Sequence, residues 1–86
     1  VTRRRLDKWL WHARVVRTRA DAQALIAAGH VRLNGVRVTA PAHGLRAGDV
    51  LTIALDARVR LVRVLGFAER RGDADAARQL YDTMDG

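Results

Sequence analysis

Arg32 and Arg37 lie symmetrically about the dipeptide Asn34-Gly35. Asn-Gly is the strongest short signal for a two-residue type I′ hairpin turn, because both central residues need positive φ. Such a turn pairs Leu33 with Val36, Arg32 with Arg37, and Val31 with Val38. Strand alternation then sends the four apolar side chains to one face and both arginines to the other. Like charges directly across a ladder cost up to about 1 kcal/mol, a cost that a polyanion's phosphates would reverse. More cations precede the hairpin: Arg3, Arg4, Arg5 and Lys8, then Arg14, Arg17 and Arg19. Arg14 and Arg17 can be explained by a helix C-terminus, whose dipole favours cations. Arg19 falls in the first turn of the next helix, where the dipole disfavours it unless an anion is held there too. Asn34 reads chiefly as a turn residue, placed beside the same ligand. The chemistry expected of these residues is charge-assisted binding of phosphates.

Other chemistries find little footing. The chain of 86 residues contains no cysteine, which removes disulfides, thiolate metal sites and cysteine nucleophiles. His12, His30 and His43 do not have metal-ligand spacing, so no metal or cofactor is expected. Asp7, Asp21, Asp49 and Asp56 fall at caps or turns, leaving no carboxylate pair for acid–base catalysis. There is neither a nucleophile elbow nor a phosphate-cradling loop. The chain is therefore not expected to be an enzyme. No apolar run approaches a membrane span, and the expected location is cytoplasmic.

The net charge of +7 is unevenly placed. Residues 1–63 hold thirteen Lys and Arg against four Asp, whereas residues 64–86 hold three against five Asp and Glu. Fifteen of the sixteen cations are arginine, whose planar fork pairs with phosphate and stacks on bases. A basic front with a mildly acidic tail suits a nucleic-acid face backed by a structural element.

The elements that must position these cations follow from periodicity. Leu6, Trp9, Leu10 and Ala13 give helical spacing within residues 5–16. Thr18 with Asp21 resembles a capping box for a second helix carrying Ala22, Leu25 and Ile26, and Gly29 is its left-handed stop. The hairpin follows at once. Pro41 and Gly44 mark a loop, and Gly48 with Asp49 a turn. Residues 50–55 and 59–65 read as two strands joined through Asp56, Ala57 and Arg58. A final helix opens at Gly72 and Asp73, with Ala77, Leu80, Tyr81 and Met84 as its stripe. Trp9 belongs to the core. Trp11 lies off the stripe, either packed on the last helix or serving as a stacking platform for a base.

This order of elements carries a recognisable set of residues. Arg5, Leu6 and Asp7 lead through Arg14, Thr18, Arg19, Ala22, Leu25 and Ile26 to Gly29, His30 and Val31. Asn34, Gly35, Val38, Pro41, Leu45, Gly48, Asp49 and Val50 complete it. The pattern resembles the S4-type RNA-binding domain. Residues 5–11 with Arg14, Thr18 and Arg19, and the segment 68–71 before Leu80 and Tyr81, are similar to small stand-alone bacterial heat-shock members that associate with ribosomes. The basic C-terminal extension of such members is not among these 86 residues. The resemblance implies an α+β fold, with two N-terminal helices packed on a small, twisted, mostly antiparallel sheet and a C-terminal helix. Residues 3–66 would form the RNA-binding domain and residues 67–86 a helical extension. It implies binding of structured RNA, ribosomal RNA of the large subunit above all, in rescue or recycling of ribosomes under stress. The expected contacts are Arg4, Arg5, Lys8, Arg14, Arg17, Arg19, Arg32, Asn34 and Arg37, and the chain is expected to act as a monomer. Two rivals remain: a targeting module for a separate RNA-modifying enzyme, and a module that binds nascent chains or other proteins.

Overall fold

The fold was analysed in a computed structural model that describes residues 4–84. Arg3, expected at the start of the basic surface, lies outside them. The elements run β1 (Arg4–Arg5), α1 (Leu6–His12), α2 (Arg19–Ala27), β2 (Val31–Leu33), β3 (Val36–Val38), β4 (Gly44–Leu45), β5 (Val50–Ala54), β6 (Val59–Val64), α3 (Ala74–Arg78) and β7 (Tyr81–Thr83). Five strands form one antiparallel sheet in the order β3-β2-β5-β6-β7, and β1 pairs with β4 in a separate two-stranded ladder. This is the expected α+β fold.

Helix α1 is shorter than its apolar spacing suggests. Arg14 adopts φ +59°, and the amides of Arg14 and Val15 donate back to the carbonyls of Trp11 and Leu10. These two bonds form a Schellman cap with arginine where glycine is usual. Helix α2 ends the same way, with Gly29 at φ +84° and the amides of Gly29 and His30 returning to Ile26 and Leu25. At the start of α2, the Thr18 hydroxyl accepts from the Asp21 amide at 3.0 Å. Helix α1 has no such cap. Its first amides are met by the loop instead, Leu6 donating to the His43 carbonyl and Asp7 to that of Pro41. Together with the β1–β4 ladder, these bonds give the loop around Pro41 and Gly44 a structural task.

The hairpin has the expected register, Val31 to Val38, Arg32 to Arg37 and Leu33 to Val36. Its apolar face is only partly covered. Val31 and Val38 are buried and Leu33 is half-buried, but Val36 is 68% exposed. The reason is topological, since β3 is an edge strand and Val36 sits beside the turn. Leu6, Trp9 and Leu10 of α1 and Ala22 and Ile26 of α2 pack with Val31, Leu51, Ile53, Val62 and Val64 of the sheet. At roughly 1.5–3 kcal/mol per large side chain, this burial is the main stabilising term.

The expected last helix is corrected by the structure. Asp73 caps α3 through the Ala76 amide, but α3 ends at Arg78. Tyr81 and Thr83 pair with Val64 and Val62 as part of β7. Tyr81 is thereby placed edge-on to Trp9, with centroids 6.4 Å apart. The strand-forming preference of Tyr and Thr and an open edge on β6 outweigh the helical spacing of the sequence. Trp9 closes this side by donating its indole N–H to the Gly66 carbonyl at 2.9 Å.

Candidate nucleic-acid interface

The expected cations fall into three groups. The first surrounds Asp7, which is fully buried. Arg5 grips this carboxylate with Nε at 3.1 Å and Nη2 at 2.9 Å. The Lys8 amide adds a bond at 2.7 Å, and Gln23 reaches over from α2 at 3.0 Å. Arg19 approaches with Nε 3.6 Å from Oδ2, and this buried N–H has no hydrogen-bond partner. Burial by itself raises the carboxyl pKa. The bonds from Arg5, Gln23 and the Lys8 amide, with the Arg5 charge, outweigh it and hold Asp7 below its usual range. Arg19 therefore has a counter-ion within the protein despite its place in the first turn of α2. The Arg5 and Arg19 side chains are still 41% and 39% exposed, so both also reach solvent.

The second group lies near this cluster. Arg4 and Lys8 are exposed, and the Arg4 guanidinium rests 5.3 Å from the centre of the Phe67 ring. Arg17 is exposed in the turn between the helices. Arg14, also exposed, donates from Nε to the Gly72 carbonyl at 3.0 Å. Arg71 returns the link by donating to the Trp11 carbonyl at 3.1 Å. These two bonds fasten the end of α1 to the segment before α3. Trp11 is half-buried with its ring 5.3 Å from that of His12. His12 is 4% exposed. Burial and the nearby Lys8 charge, with Arg19 and Arg71, push its pKa down against an opposing hydrogen bond with the Ala68 backbone.

Arg32 and Arg37 form the third group, on the sheet face turned away from the core. They are exposed and directly opposed, and Thr52 flanks Arg32 on the other side. A Cβ added at Gly29 would meet Arg37 Cδ at 3.3 Å, so the stem of Arg37 crosses the C-terminal end of α2. A cation there is favoured by about 0.3–1 kcal/mol, which offsets the repulsion from Arg32. Asn34 is committed to the fold. Its Nδ2 donates to Asp49 at 3.1 Å and its Oδ1 accepts from the Val50 amide at 2.9 Å, tying the turn to β5. It adopts φ +51°, as a type I′ turn requires.

Among the described residues, the ion pairs take up Arg5, Arg19 and Arg78. Arg4, Lys8, Arg14, Arg17, Arg32 and Arg37 have no carboxylate oxygen within 4 Å there. No group of three potential metal ligands occurs among the described residues, and none of their helices is long and apolar enough to cross a membrane. Phe67, Ala68 and Glu69 also line a cleft beside α1. Their place beside Lys8 was not legible in the sequence, because nearly sixty positions separate them from it. Gly66 ending a strand just before an aromatic residue was the available signal.

Fold and surface together define a class: a small α+β domain whose helix–helix–hairpin unit displays a set of cations. Residues 4–51 match the S4 domain. The chain belongs to the S4 domain family and, within it, to the heat shock protein 15 group. It is 41% identical over 81 residues to the heat shock protein 15 homolog of Aeromonas salmonicida, covering 94% of this chain and 61% of that protein. With heat shock protein 15 of Escherichia coli K12 the identity is 40% over 78 residues, covering 91% and 58%. The chain thus spans about three-fifths of the length of these relatives. A more distant relative is the small ribosomal subunit protein uS4 of Methylobacterium radiotolerans, 38% identical over 64% of this chain and 27% of that one. Among solved structures, the trimeric heat shock protein 15 of Vibrio cholerae superposes with a TM-score of 0.90 at 31% identity, covering 98% of this chain and 84% of that one. This trimer overturns the expectation of a monomer.

Proposed function

We propose that this protein binds structured RNA without catalysing a reaction, and that its target is ribosomal RNA of the large subunit during stress-related rescue or recycling of ribosomes in the cytoplasm. The observation that carries the reading is the set of exposed cations without carboxylate partners on α1, the interhelical turn and the hairpin. Arg5, by contrast, is paired within the fold to Asp7. The names of the heat-shock and ribosomal relatives point the same way.

The proposed contacts are Arg4, Lys8, Arg17, Arg32 and Arg37, with the exposed ends of Arg5, Arg14 and Arg19. Asn34 contributes by holding the turn. Residues 3–66 carry these phosphate contacts, and within residues 67–86 the strand β7 edges the sheet while Arg71 and Gly72 anchor α1. Recognition is through backbone phosphates and RNA shape. Several copies acting together, as in the trimeric relative, would multiply such contacts.

A salt titration with a hairpin fragment of large-subunit RNA tests the reading. Four to six neutralised phosphates would make log affinity fall with log salt at about 0.7–0.9 per contact. A flat titration would rule out phosphate binding. Crosslinking in cells, with free large subunits compared against translating ribosomes, tests the target. A signal confined to messenger or transfer RNA would rule it out.

A further inference from the structure

The cleft beside α1 has a composition that phosphate binding alone does not explain. Arg4, Arg5, Lys8 and the buried Trp9 and His12 line it from β1 and α1, and Phe67, Ala68 and Glu69 from the segment after β6. Its volume is about 250 Å³, just under the roughly 300–1,000 Å³ of sites for drug-sized ligands. It therefore suits a single flat group rather than a peptide or a large cofactor.

We propose that this cleft takes one unpaired nucleotide of the bound RNA, with its phosphate on the rim and its base inside. The proposal rests on the RNA-binding reading above. Arg4 already lies over the Phe67 ring, and an arginine–aromatic pair is also a platform for a base plane. Lys8, exposed at the mouth of the cleft, is left to meet the phosphate of such a nucleotide. The depth of the cleft offers direction instead of charge. His12, held toward its neutral form by burial and by Lys8, Arg19 and Arg71, gives its ring N–H to the Ala68 backbone, which leaves the other ring nitrogen to accept.

Glu69 sharpens the assignment. A carboxylate on an otherwise cationic rim repels a phosphate but accepts hydrogen bonds from an exocyclic amine. The cleft should therefore favour guanine, adenine or cytosine over uracil. An unpaired nucleotide is also the cheapest to accept, because no base pair has to open. Double-helical RNA offers side chains few readable edges, so one captured base would add register to a surface otherwise reading shape.

The test uses the full chain and RNA hairpins with one stem, either fully paired or carrying a single bulged guanosine or uridine, or a 5′-overhanging guanosine. Fluorescence anisotropy at moderate salt should show the guanosine bulge binding about tenfold more tightly than the paired stem. Phe67→Ala should abolish that advantage while the paired stem still binds. Glu69→Gln, on an exposed residue, should bring the uridine and guanosine bulges together. If the overhang alone gains, the nucleotide is terminal; if the bulge alone gains, it is internal. Either supports the cleft. Equal binding of all four RNAs would overturn the cleft and leave the RNA-binding reading standing. Binding of none would overturn that reading itself. If Phe67→Ala unfolds, shifts of the Trp9 indole proton on titration with guanosine monophosphate decide the matter, and unmoved Trp9 and His12 signals count against the cleft.

Discussion

Arg14 carries two duties that pull on its backbone and side chain separately. Its φ of +59° costs roughly 1–2 kcal/mol relative to glycine, while its Nε bond to Gly72 returns about 0.5–1.5 kcal/mol. Arg14→Gly should thus change thermal stability by only a few degrees yet weaken RNA binding, as melting curves and anisotropy would report. Arg14→Ala keeps the strain and loses the bond, and should melt lower. Strain that persists at such a position is a common mark of a functional site. At the hairpin, Arg32→Ala combined with Arg37→Ala should weaken RNA binding and leave the melting temperature unchanged or raised. A large loss of stability would mean that the arginines serve the fold. The pairing of Arg32 with Arg37 was legible in the sequence because a turn and strand alternation set it locally; the left-handed backbone of Arg14 and its bond to Gly72 were not. The Asp7 cluster was not. Nothing in the spacing of Arg5, Asp7, Arg19 and Gln23 shows that α1 and α2 press the carboxylate out of water.

Elements read from the sequence succeeded where short-range chemistry decides and failed where a distant strand competes. Thr18 through its hydroxyl, and Gly29 and the Asn34-Gly35 turn through their backbone, each determine a boundary locally, and the structure places all three as expected. Residues 81–83 have helical spacing but join the open edge of β6. Two-residue strands such as β1 and β4 carry no periodicity at all. The same distinction predicts which turns are fragile. Asn34→Ala removes both side-chain bonds that join the turn to the Asp49–Val50 segment, leaving only the Asn34 amide bond to the Val50 carbonyl, and puts alanine at positive φ. A loss of about 1–3 kcal/mol is expected in denaturant unfolding. Gly29→Ala should be comparably harmful, since φ +84° disfavours a side chain and the new Cβ would press on Arg37.

For the whole molecule, the two buried titratable groups among the described residues, His12 and Asp7, make stability depend on pH. His12 holds its proton less tightly when folded than at its ordinary value of 6.5. Its contribution is complete above that value and declines as pH falls through the interval down to the folded pKa. Asp7, also lowered, from 3.8, contributes fully above that value and loses its contribution as pH falls through the folded pKa. Thermal melts between pH 8 and pH 2 should therefore show two successive declines. His12→Phe should flatten the first, and Asp7→Asn the second, each at some cost in overall stability. A profile in which His12→Phe leaves the upper decline intact would place its origin elsewhere.

The bonds that complete α1 reach far along the chain. Trp9 to Gly66, Arg14 to Gly72 and Arg71 to Trp11 span 57, 58 and 60 residues. At synthesis rates of roughly 5–20 residues per second, the first helix waits several seconds for its last partners. During that interval its apolar stripe lacks the cover that Gly66 and Tyr81 help provide. A nascent chain is therefore exposed to proteases and chaperones at α1, and the basic helix gains its final shape only after residues 66–81 have emerged.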